Sequence, residues 1–192
     1  MSHCIADCPC KRAIKLSRSN RSNRKRGSVI AETPVTLWVL FFVFFFPCMN
    51  LAAICMRSTF LYWAVHTATF EAARAKTFQA AVNGSPSAVQ LASDEVRAVI
   101  AAFSGITVSQ VTVNIVSTDV NTMTTTRQSM PLAQPADTSQ NTYQIEVAVK
   151  GTFEPFFNYR SNFFGAIPGL TAPIPATFVD RQFCENPQGL NI

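Results

Sequence analysis

The chain has 192 residues and a formal net charge of +5, room for one modest domain beside any membrane segment. The charge is lopsided: positions 1–27 hold eight Lys/Arg against Asp7 alone, and the rest holds eight Lys/Arg against ten Asp/Glu. The basic character therefore belongs to a short arm with no second basic patch behind it, which argues against a nucleic-acid-binding protein and for a topology signal beside a membrane segment.

Residues 1–27 are polar, basic and aperiodic, and read as a disordered cytoplasmic leader. Its "HCIADCPC" (His3, Cys4, Cys8, Cys10) has no common zinc spacing and no second ligand pair behind it, so reduced cysteines in a flexible leader are expected in preference to a metal site. Cys48 and Cys55 fall in the apolar segment and only Cys184 in the domain beyond, so a disulfide-stapled domain is not expected.

Residues 35–56, "VTLWVLFFVFFFPCMNLAAICM", form an uncharged run of 22 residues. That is about 33 Å at the helical rise of about 1.5 Å per residue, enough to cross a hydrocarbon core. The run is longer than a secretory signal core and lacks a small-residue cleavage site after it. Pro47 and Asn50 interrupt it, but a proline in a membrane helix kinks it without ending it. Good helix formers continue past Arg57 to the break "NGSP" at 83–86, so the pattern predicts one extended helix over 35–82. Tyr62 and Trp63 stand where interfacial aromatics are usual. Ala64, Ala68, Ala72 and Ala75 place small residues on one face, a seam for a second helix. Glu71 and Arg74 are spaced for a local ion pair.

A second helix is expected from Ser85/Pro86 to Gly105, with Val89, Ala92, Val96, Val99, Ile100 and Phe103 at helical spacing. The period then changes to two. Strands are predicted around 111–115 and 143–153, with an edge strand at 174–179 carrying Pro173 and Pro175. The Thr/Ser-rich stretch 119–141 reads as a long mobile loop, and the Phe-rich stretch 153–170 as packing across the sheet or the long helix, or as a partner surface. The expected fold class is α+β: a transmembrane helix extended outward, then a small domain with one helix and an antiparallel sheet of about three strands. The domain boundaries expected are a leader at 1–27, the helix at 28–83 and the outer domain at 84–192.

No enzyme is read here. The outer domain has no histidine after His66, no phosphate loop is present, and Asp94, Glu95, Glu146 and Glu154 read as solvated carboxylates on polar faces. No cofactor, metal, nucleic acid or small-molecule substrate is implied.

One residue resists the bland reading. Glu32 lies at the edge of the apolar run, five positions past Gly27. An acid in the first turn of a helix is favoured by the helix dipole, yet charges in membrane helices are costly and tend to have partners. Cleavage between Gly27 and Ser28 would create an amine able to neutralise Glu32 of a neighbouring chain. The order basic leader, Gly27, four small or apolar residues, Glu32 and a long apolar helix resembles the class III (type IV prepilin) signal. "GSVIAETPVTLW", "FEAARAK" and the Pro-rich "FFGAIPGLTAPIPATFVDRQFCE" are similar to TadE-like pseudopilins of the tight-adherence (Flp) pilus system. The resemblance implies processing at Gly27/Ser28 by a prepilin peptidase, Glu32 as the assembly carboxylate, and other pilins and pilus assembly proteins as partners. It also implies a place in the bacterial inner membrane with a cytoplasmic N-terminus and a periplasmic domain. The alternative is an uncleaved single-pass anchor with a protein-interaction domain unrelated to pili.

Overall fold

A computed structural model describes residues 32–157 and 167–192. Its fold is α+β, as the residue pattern predicts, with four strands instead of about three. The chain divides into two compact units at the Phe45/Phe46 junction. Helix α1 covers Glu32–Ala73, 42 residues, with a π-helical turn at Phe41–Phe45. Pro47 has no N–H to give the carbonyl of Val43, and the wider π turn, which contains Val43, falls just before the proline.

Within the unit Phe46–Ile192, one face of α1 packs on helix α2 (Ala88–Ala101) and on an antiparallel sheet. The strands are β1 (Ile106–Asp119), β2 (Thr125–Gln128), β3 (Asn141–Phe153) and β4 (Ile174–Phe183), in the order β2-β1-β3-β4. Helix α2 starts two residues later than expected, at a capping box. Ser87 accepts from the amide of Gln90 and the Gln90 side chain accepts from that of Ser87, each at 3.3 Å. In β3, Tyr143, Ile145, Val147, Val149 and Phe153 face the helices and are buried, in register with Val111, Val113 and Ile115 of β1. Both helices lie on this face, and the outward residues of β4 (Thr177, Val179, Arg181, Phe183) stay exposed, the usual pattern for an antiparallel sheet with one covered side.

Two expectations are corrected. Helix α1 ends at Ala73, not at residue 82, because the C-terminal segment takes over its backbone bonds. The amide of Glu185 donates to the carbonyl of Ala73 at 3.0 Å, and the amide of Phe78 donates to the carbonyls of Gly189 and Ile192 at 3.1 and 3.0 Å. Phe78 is fully buried beneath this segment, so tertiary packing overrides helix propensity. Gly189 makes the approach possible: a Cβ there would stand 1.7 Å from the carbonyl oxygen of Lys76. The stretch 119–141 is not a structureless loop. It contains β2, paired with β1 from Ile115↔Gln128 to Thr118↔Thr125. It is also tied to the C-terminal segment by the Leu132 amide, which donates to the carbonyl of Leu190 at 2.9 Å.

Candidate functional site

Gly27 and Ser28, and with them His3, Cys4, Cys8 and Cys10, lie outside the described residues. Glu32 opens α1, exposed, its carbonyl accepting from the Thr36 hydroxyl at 3.0 Å. From Val35 to Phe45 every large apolar side chain is at least 44% exposed, including Trp38 and Leu40. This is the one helix among the described residues that is long and apolar enough to cross a membrane.

Ala64, Ala68 and Ala72 do allow a close approach, but inside the chain. They are at most 1% exposed, and Ala75 is 9% exposed in the turn after the helix. Ala68, Ala72 and Ala75 share one apolar core with Ala88, Ala92 and Val96 of α2. The seam is therefore closed by the protein's own fold and presents no groove to a second chain. Arg74 likewise reaches Glu185 at 3.8 Å and lies over the Phe70 ring instead of pairing with Glu71. Both ends of that ion pair are more than half exposed, so it contributes little.

The docked face of α1 continues down into the uncharged run. Asn50 is buried at 1% exposure and holds the backbone of Phe157 at two points. Its Nδ2 donates to the Phe157 carbonyl at 3.1 Å, and the Phe157 amide donates to its Oδ1 at 2.7 Å. The Phe157 ring meets Phe46 edge-on at 5.1 Å. One turn beyond Ile54, the Arg57 guanidinium donates to the carbonyl of Glu154. Residues 153–157 of the Phe-rich stretch thus pack on the long helix, one of the two expected roles.

Glu146 is the largest departure from the sequence reading, which placed it on a solvated face. It is 1% exposed. Arg127 Nη2 on β2 and Arg181 Nε on β4 donate to its Oε2 at 2.6 and 2.7 Å, and Asn114 Nδ2 on β1 donates to its Oε1 at 3.0 Å. Four strands thus converge on one carboxylate on the outward face. The burial comes from the two arginines lying over it, themselves about half exposed at 54% and 45%. Charge-assisted bonds of this length are the strong kind. All the donors serve a carboxylate that is already satisfied, so the cluster ties the edge strands to the centre of the sheet and offers no open site. No residue pattern along the sequence marks it, because the partners are 19 and 35 positions away.

On the helix-facing side, His66 Nδ1 and Asp180 Oδ2 are 2.8 Å apart, linking α1 to β4. Cys184 is half-buried and unpaired, and burial pushes its thiol pKa up. Asp119 and Asp137 bracket the β1–β3 connection. Backbone amides of Thr122 and Asn121 lower the pKa of Asp119, and the Ser139 hydroxyl and amide lower that of Asp137. Among the described residues, no three His, Cys, Asp or Glu side chains gather as a metal site would need. Protein-family models, curated proteins and solved structures give no match to this chain.

Proposed function

We propose that the chain is a single-pass membrane protein of the TadE-like pseudopilin kind, a minor component in assembly of a Flp-type pilus or related secretion machine. The observation that carries the reading is one helix, Glu32–Ala73, with an exposed apolar run in its first part and buried core residues of a small α+β domain in its last. Such a chain is built to be held at a bilayer by one half of a helix and to display a domain with the other half. With the basic arm in the cytoplasm, the domain lies in the periplasm. Prepilin-type cleavage after Gly27 frees the Ser28 amine, which neutralises Glu32 of a neighbour as helices gather. The helix surface for that gathering is the exposed stretch around Trp38 and Phe42, since the alanine seam is occupied internally. Intact mass and terminal peptide mapping of the protein recovered from membranes test this. A chain beginning at Ser28, lost when the prepilin peptidase is removed, is the expected result. A chain that retains 1–27 overturns it.

The occupied seam favours one second reading, an uncleaved anchor whose outer domain binds an envelope partner. That reading expects the leader to persist and Glu32→Gln to leave every co-purifying partner unchanged. The pseudopilin reading expects Glu32→Gln to insert normally but to lose its pilin partners.

A further inference from the structure

The two described arms of the β3–β4 connection, 154–157 and 167–173, lie against α1 at a level where the helix carries no charge. Asn50 grips the Phe157 backbone, Phe46 meets its ring, and the turn at Gly169 sits on Ile54, whose side chain would be 3.0 Å from a Cβ placed there. All three helix positions precede Arg57, the first charge after the run. Phe46 is roughly 16 Å along the axis from Arg57 at about 1.5 Å per residue.

The uncharged run cannot spare that length. A hydrocarbon core takes about 20 residues to cross, and residues 35–56 number 22. Lifting Phe46, Asn50 and Ile54 clear of the bilayer would leave roughly half of the run in lipid, too short to span it. We propose that the two arms at 154–157 and 167–173 are a second membrane contact, with Phe156, Phe157, Ile167 and Leu170 entering the outer leaflet beside the helix. The proposal rests on the membrane-spanning reading of α1, and its occupant is lipid, not a protein partner.

The bonding of the Phe157 backbone and of the amides from 167 to 172 fits that medium. Non-helical backbone at membrane depth is tolerated only where its polar groups are satisfied by protein. The Phe157 amide and carbonyl are both taken by Asn50. In the second arm, the Ile167 amide donates to the Thr171 hydroxyl and the Gly169 amide to the Ala172 carbonyl. The amides of Leu170, Thr171 and Ala172 all donate to the Ile167 carbonyl. Pro168 has no N–H, so every amide hydrogen from 167 to 172 is bonded within the turn. Gly169 permits this closure with its φ of +81°. Phe156 and Ile167 remain exposed, as lipid-facing side chains would be.

The test uses the full chain in vesicles of phosphatidylcholine and phosphatidylglycerol, with part of the phosphatidylcholine brominated on its acyl chains. Four single-tryptophan chains are compared: Trp63→Phe, which keeps Trp38; Trp38→Phe, which keeps Trp63; and Phe156→Trp or Ile167→Trp in the background lacking both. Quenching is expected for Trp38 and for both loop probes, whose emission is also blue-shifted, while Trp63, roughly 9 Å beyond Arg57, is quenched least. Quenched Trp38 with loop probes as bright as Trp63 overturns the proposal and leaves the spanning helix standing. Unquenched Trp38 removes the spanning helix and the proposal together. Equal quenching of Trp63 and the loop probes also overturns it, because that is the signature of a whole domain adsorbed to the surface.

Discussion

The two halves of α1 are both helical and largely apolar, and they live in different environments. Leu37 and Leu61 are both leucines on a regular helix, one 54% exposed and the other fully buried. Trp38 stacks on Phe42 at 5.3 Å and Phe41 meets Phe45 at 5.0 Å along the helix itself, whereas Phe60 stacks on Phe103 at 4.0 Å across to the chain beyond α2. Composition already separates them in part, because alanine, histidine and every charge except Glu32 fall after Phe46. Within the second half, Asn50, Arg57, Ala64, Ala68 and Ala72 place small and polar residues on the face that touches the domain.

Substitution offers the sharpest way to break this comparison. Leu61→Ala should cost the domain on the order of 3 kcal/mol, the usual range for a fully buried leucine, read as a shift in the urea midpoint with the protein in detergent. Leu37→Ala should leave that midpoint within about 0.5 kcal/mol, as substitutions away from a core do. Equal effects would mean the exposed half is part of the same cooperative unit. The next largest effect is expected at Glu146→Ala, roughly 2 kcal/mol, because the two arginines lose their shared acceptor and then repel each other. Replacing both Arg127 and Arg181 by alanine should cost less than a fully buried unpaired charge would. The arginines are the cover as well as the partners, so their removal readmits water to the carboxylate. A double-mutant comparison of midpoints checks that ordering.

Smaller still is the effect expected of Asn50→Leu, on the order of 1–2 kcal/mol for two backbone groups left without partners. Hydrogen exchange at the Phe157 amide should accelerate before the midpoint moves, since the lock is local. Unchanged exchange there would mean that the Phe-rich arm is held by ring packing alone.

The difference between the halves is also the difference between what residue patterns reveal and what they conceal. Helix α2 and strands β1, β3 and β4 are legible because their apolar residues recur at the right period and each has one covered face. Strand β2 is not: all four residues of Thr125–Gln128 are exposed, and its strand state comes from pairing with β1. The Ser117 and Thr126 hydroxyls meet at 2.6 Å and those of Thr118 and Thr125 at 3.1 Å. The end of α1 is hidden for a similar reason, since residues 185–192 decide it from across the fold. Glu146 sits in correct alternation on the polar side of β3, so no rule applied to β3 alone could bury it. The Ala64–Ala72 face was legible as a close-approach surface, but local spacing cannot say whether the approaching helix comes from the same chain. Asn50 carries a signal that goes unread as an interruption: a lone amide in an apolar run marks a place where backbone from elsewhere must be satisfied.

The smallest expected effect follows pH and belongs to the domain half alone. Asp119 and Asp137 have pKa values lowered by hydrogen bonds to the turns at each end of the β2 excursion. Their folded pKa values lie below the unfolded ones, so their contribution is present above the ordinary carboxylate range and is lost as pH falls through the lowered values. Cys184 runs the other way. Burial raises its folded pKa, so its contribution is complete below the ordinary thiol range and is lost as pH climbs toward the raised value. Between those limits the domain should show a flat stability plateau. Acid should loosen the amides of Asn121, Thr122 and Ser139 first, followed by NMR shifts at those three positions. Alkali should accelerate alkylation of Cys184 only above the pH at which an unfolded thiol already reacts. A plateau that ends first at a different site, with those amides unmoved, would show that the turns are held by strand pairing and not by their aspartates.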